Sequence, residues 1–80
     1  MREGVWFAPV VRLKRSGRYA FLLAWKRDKH GKWRGHVAWL VREQVLWSGV
    51  DVWMRAEDLE QVRDQDYRRV PRRFDDDSPF

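Results

Sequence analysis

Over its first half the chain alternates apolar and polar positions with a period of two, and two short polar stretches ending in glycine interrupt the pattern. Val5 to Lys14, Tyr19 to Arg27 and Trp33 to Arg42 are each rich in β-branched and aromatic residues, so the pattern predicts strand, turn, strand, turn, strand. Pro9 has no N–H to give to a ladder and marks the first of these as an edge strand. Arg15-Ser16-Gly17 and Lys29-His30-Gly31 supply the turns. In each, the glycine suits the left-handed position of a three-residue loop with a bulge.

That turn geometry predicts a register. Closing the first hairpin around Ser16 sets Phe7 against Trp25, Pro9 against Leu23, Val11 against Phe21 and Leu13 against Tyr19. Closing the second around His30 sets Leu23 against Val37, Phe21 against Trp39 and Tyr19 against Val41, with Asp28 facing Lys32. The odd-numbered positions then form one apolar inner face, with Trp25 and Trp39 in the core, whereas a two-residue first turn pairs large apolar side chains with lysine and arginine. The even-numbered face is mixed. Trp6, Lys26 and Arg34 lie at one end and Lys14, Arg18 and Arg42 at the other, with Ala8, Val10, Leu22, Ala24, Ala38 and Leu40 between them and Arg12 and His36 nearby. Apolar area rimmed by charge marks an interface or a surface that another segment covers.

After Arg42 the alternation weakens. Residues 43–49 read as a loop with Leu46 and Trp47 as bulky anchors, Val50 to Arg55 as a fourth strand, and Ala56-Glu57-Asp58 as a helical turn leading into a last strand, Leu59 to Val62. A helix from Ala56 to about Arg69 is the rival reading: early acids and late arginines suit its dipole, but Leu59, Val62 and Tyr67 make a sparse apolar stripe. From Arg63 onward almost every position is polar or charged, which predicts a flexible tail with too little apolar surface to offset its ordering entropy. The expected organisation is therefore a domain over 1–62 and a charged tail over 63–80.

Composition narrows the function classes. Eighty residues make one domain near the lower limit for folding on a core alone, and the absence of cysteine excludes disulfides and thiolate metal sites. No apolar run approaches the roughly 18 residues of a membrane span, and Glu3-Gly4 interrupts the place of a signal peptide's apolar region, so a soluble cytoplasmic protein with no membrane partner is expected. The net charge of +5 is unevenly spread: residues 1–42 hold eleven Lys/Arg against two acids, and residues 43–80 hold six against ten. Clustered positive charge suits phosphate or an acidic protein surface. His30 and His36 lack metal-ligand spacing, Ser16 and Ser48 sit in turn-like Ser-Gly pairs, and Asp75 to Asp77 lie in the tail, so no enzymatic constellation, cofactor or metal is expected. A methyl-lysine cage would need converging aromatics and an acid, for which Trp47, Trp53 and Asp51 are the candidates.

Five short strands, with Trp33-Arg34-Gly35-His36-Val37 after the second hairpin and Val52 to Val62 running strand, turn, strand at the end, resemble the SH3-like barrels that include the Tudor and chromo-like domains. The resemblance spans about residues 5 to 62. It implies an all-β, five-stranded antiparallel barrel, and a group whose members bind peptides, methylated lysine, DNA or RNA. Together with the charge, the expectation is a non-catalytic module binding nucleic acid (DNA or RNA) with little sequence specificity, through Trp6, Arg12, Lys14, Arg18, Lys26, Arg34, His36 and Arg42. The alternative is a protein-interaction module or small regulatory subunit, docking an acidic partner or another copy of itself through the apolar belt.

Overall fold

The structure, a computed structural model, describes residues 7–73. These form strands β1 (Val10–Leu13), β2 (Tyr19–Arg27), β3 (Trp33–Glu43) and β4 (Leu46–Arg55), a 3₁₀ turn (Ala56–Asp58), β5 (Leu59–Gln61) and a two-residue β6 (Arg72–Arg73). One sheet holds them all, in the order β4-β3-β2-β1-β5, with β6 parallel to β2 beyond the point where β1 leaves it. Neighbours along the main path are antiparallel. Among the described residues β4 and β5 do not pair, so the sheet curls without closing. The 3₁₀ turn and short last strand agree with the first reading of residues 56–62, and no helix forms over 56–69. No helix among the described residues is long and apolar enough to cross a membrane.

The second hairpin has the expected geometry. Asp28 N–H donates to Lys32 O at 2.8 Å, Gly31 adopts φ +76, and Trp25, Lys26 and Arg27 face Gly35, Arg34 and Trp33. The first hairpin does not. Gly17 is left-handed as expected (φ +74), but the closing pair is Leu13 with Arg18, which sets Val10 against Phe21, Val11 against Ala20 and Arg12 against Tyr19. This is one position away from the expected register, and a bulge between Leu22 and Ala24 passes the shift on to the β2–β3 ladder, where Leu22 faces Val37 and Phe21 faces Ala38.

A slip of one residue turns every side chain of a strand to its other face. The expected assignment of Tyr19 and Phe21 to the interior is therefore overturned: they are 58% and 51% exposed, while Leu22 is fully buried and Ala20 and Ala24 nearly so. Leu22 leaves the exposed belt for the same reason, whereas Ala24, beyond the bulge, keeps its expected partner His36 and is buried without changing face. The cause is space. The inner face is built from small groups where the chain crosses itself most closely: Ala20 lies beside Val11, and a Cβ on Gly35 would sit 2.8 Å from Leu59 Cδ1 and 3.0 Å from Leu22 Cδ1. Trp25, Trp39, Met54, Leu59 and Tyr67 already pack around this core of Val11, Leu13, Ala20, Leu22, Val37 and Val70, leaving no volume for two more aromatics.

Three boundaries also move. The first strand starts at Val10, because Pro9 interrupts the donors before it, and Val5 and Trp6 lie outside the described residues. The expected loop at 43–49 is largely strand. β3 and β4 are joined by Gln44-Val45 alone, with Gln44 at φ 55, and their ladder runs unbroken from Arg34–Arg55 to Glu43–Leu46. Residues 63–73, expected as flexible tail, pack back on the sheet. Val70 is buried, the Tyr67 hydroxyl donates to Val10 O at 2.6 Å and accepts from Val62 N–H at 2.8 Å, and Trp25 N–H donates to Pro71 O at 2.8 Å. Two apolar side chains and three backbone bonds thus anchor a segment whose average polarity masks them.

The β2–β3 hairpin is held by one carboxylate. Asp28 accepts from the backbone N–H groups of Lys32 (2.9 Å) and His30 (2.8 Å) and from Arg34 Nε (3.1 Å). The Lys32 bond leads in holding its pKa below the ordinary 3.8, with His30 and Arg34 adding and burial opposing. A carboxyl depressed on folding contributes stability that is complete above 3.8 and is lost as pH falls through the lower folded value. Thermal melts between pH 7 and 2 should therefore show the wild type losing more of its melting temperature below pH 4 than Asp28→Asn does. Parallel acid limbs would sink this assignment.

Candidate nucleic-acid interface

The outer face of the sheet is read from the ladders. On β1 it presents Val10 and Arg12, on β2 Tyr19 and Phe21, on β3 His36, Ala38, Leu40 and Arg42, and on β4 Trp53, Asp51, Gly49 and Trp47. Its middle is an apolar and aromatic platform of Val10, Tyr19, Phe21, Ala38 and Leu40, with Leu40 66% exposed. Trp47, 61% exposed, continues it toward the β3–β4 turn. No turn or strand among the described residues covers these aromatic rings, and glycine at 49, opposite Leu40, leaves the surface open there.

Arginines border the platform. Arg12 faces Tyr19 across the β1–β2 ladder, and its guanidinium reaches back toward Gly17 and across to Glu60 at 3.5 Å. Arg42 lies over the Trp47 ring at 5.8 Å and donates to Gln44 O at 3.0 Å. Both ion pair and ring contact are solvent-exposed, hence weak. Lys14 sits exposed in the β1–β2 turn, whereas Arg18, exposed at the same end, turns its guanidinium toward the inner face, 5.6 Å from the ring centre of Trp39. Four of the expected residues, Arg12, Lys14, Arg18 and Arg42, therefore gather at this end of the sheet.

Lys26, Arg34 and His36 gather at the other end, in a different chemical state. Lys26 is only 8% exposed, with its ammonium 5.8 Å from the Trp53 ring, and Arg34 is paired with Asp28. His36 stacks on Trp53 with centroids 4.8 Å apart and donates from Nε2 to the Asp51 carboxylate at 3.0 Å. A row of like charge crosses four strands here, Arg73 beside Lys26, Lys26 beside Arg34 and Arg34 beside Arg55. Asp28, Glu57 and Asp58 offset it, each bonded to one of these arginines. The three expected residues at this end are thus bound up within the protein, and Trp6 lies outside the described residues.

Tyr19, Phe21, Leu40 and Trp47 belong to the face and were not among the expected site residues. The signal for Leu40 was present in the apolar belt of the even-numbered positions, whereas Trp47 read as a loop anchor and a candidate cage residue. For Tyr19 and Phe21 the register hid it. The proposed cage does not form: Trp47 and Trp53 are six positions apart on one strand, roughly 20 Å at the usual strand rise. Trp53 is stacked on His36 and Trp47 carries Arg42. On the inner side, a cleft of about 450 Å³ lies between the sheet and the returning segment, lined by Leu22, Trp25, Trp33, Leu59 and Tyr67. Arg27 and Arg72 occupy the Trp33 ring there at 5.1 and 5.7 Å, which disfavours a further cation. Comparison of this chain with protein-family models, curated proteins and solved structures finds no match in any of the three.

Proposed function

We propose that the chain is a small non-catalytic module that binds single-stranded nucleic acid across the outer face of its sheet, with little preference for sequence. One observation carries this reading: two aromatic side chains of a central strand, Tyr19 and Phe21, stand outward on an open sheet between Arg12 and Arg42. Bases of any kind stack on such rings while arginines neutralise the backbone, and stacking needs no hydrogen-bond code. The charge agrees, with sixteen Lys/Arg against eight Asp/Glu over residues 7–73. The architecture we propose is an incompletely closed barrel of the SH3-like kind. Its support is the strand order β4-β3-β2-β1-β5 with a 3₁₀ turn between β4 and β5.

Titration with random single-stranded DNA and RNA of equal length tests the reading. If Arg12, Lys14 and Arg42 meet phosphates, log K should fall with log salt at a slope of about −2. Duplexes should bind more weakly, because their bases are not free to stack. No binding to either strand at low salt ends this proposal.

A second reading, a protein partner on the same face, is favoured by the apolar character around Leu40 and Trp47. Tryptophan and arginine are the usual anchors of protein interfaces, and Arg42 over Trp47 supplies both. Recovery of a partner whose binding survives nuclease and high salt would favour it.

A further inference from the structure

β4 is a ten-residue strand at the edge of the sheet, paired among the described residues with β3 alone. Exposed edges usually carry a proline, a lysine, a bulge or an inward-pointing charge that stops them from pairing with another chain. β4 has none of these. Its ladder with β3 is unbroken, its only acid is Asp51 on the outer face, and Leu46, Trp47 and Val52 stand exposed along it. The far end of the β3–β4 hairpin, from Trp39 to Val50, also runs past the last β2 partner at Ala38, and among the described residues no third strand pairs with it there.

We propose that β4 pairs antiparallel with β4 of a second copy across a two-fold axis, joining two sheets into one. This inference stands on the strand edge and does not depend on the nucleic-acid reading. An antiparallel pair related by such an axis keeps each face on its own side, so every residue must meet one of its own parity. Two registers then align nine residues each. The register centred on Asp51 opposes its carboxylate to the identical one of the second copy, a like-charge contact that disfavours the pairing. The register centred on Val50 sets Val50 against Val50, Val52 against Ser48 and Met54 against Leu46 on the inner face. On the outer face it sets Asp51 against Gly49, where the carboxylate meets no side chain of the second copy. Charge and packing select this second register. Both aromatic platforms then lie on the same side of one continuous sheet, offering a single strand a longer track.

Sedimentation of the full chain without nucleic acid is the first test, with a mass twice the 9.8 kDa chain expected. The chain has no cysteine, so an introduced thiol reports pairing without interference. Opposed residues of an antiparallel pair lie about 4.5–5.5 Å apart at Cα, within disulfide range. Mild oxidation should cross-link V50C between copies and leave D51C largely uncross-linked. A second pair of variants avoids any packing loss, because a side chain at 49 meets nothing within 4 Å in one copy. Gly49→Glu should weaken dimerisation several-fold by facing Asp51 of the second copy, whereas Gly49→Lys should not. A wild-type monomer at all concentrations would overturn the proposal, as would D51C cross-linking as fast as V50C, or a Gly49→Glu dimer as tight as wild type. A dimer that binds no nucleic acid would overturn the proposed function alone.

Discussion

Leu22→Ala should remove a large share of the protein's stability, whereas Phe21→Ala one position away should remove little. Leu22 is fully buried between Val37 and the Leu59 side of the core, so its truncation removes apolar contacts and leaves a cavity. Such substitutions cost about 2–5 kcal/mol, against a total stability on the order of 4–12 kcal/mol for a domain of this size. Phe21 is larger, yet half its surface already meets water, and truncation should cost roughly 1 kcal/mol. Urea midpoints of the two variants separate the observed register from its neighbour. In the register expected from turn geometry Phe21 would be the core residue, and the order of the two midpoints would reverse.

The second large effect is on binding. Replacing Tyr19 and Phe21 together by alanine should weaken single-stranded nucleic acid binding by about 30-fold or more, taking at least 1 kcal/mol for each lost stacking contact. The salt slope should stay nearly unchanged, because the arginines remain. Arg12→Ala with Arg42→Ala should do the opposite, weakening binding while lowering the slope by about one to two. Aromatic and arginine variants that behave identically would show that the two sets do not act as separate stacking and phosphate contacts.

The all-β class, the three-strand meander, the second turn and the 3₁₀ turn with the short strand through Gln61 were legible because each rests on local chemistry. Gly31 after Asp28, the alternation in β3 and the short apolar spacing around Leu59 need no distant partner to be read. The register of β2 was not legible, since both leucines at 22 and 23 suit the interior and the choice depends on how closely Val11, Ala20 and Gly35 approach. The returning segment failed for a related reason. Tyr67 and Val70 are two anchors in a run of charge, and their worth comes from Val10, Val62 and the core, which are near them only in three dimensions. Of the basic residues, sequence identified which cations exist but not that Asp28 and Trp53 already engage Arg34 and Lys26.

The bulge in β2 leaves the strand with two interchangeable occupants for one site. With the extra residue looped out, Leu22 lies against Val37. In a straight ladder Leu23 would lie there instead, making the same leucine–valine contact while drawing Tyr19 and Phe21 inward. The two ladders thus differ little at Val37, and it is the tightness around Ala20, on the opposite side of the sheet, that leaves those two rings in water.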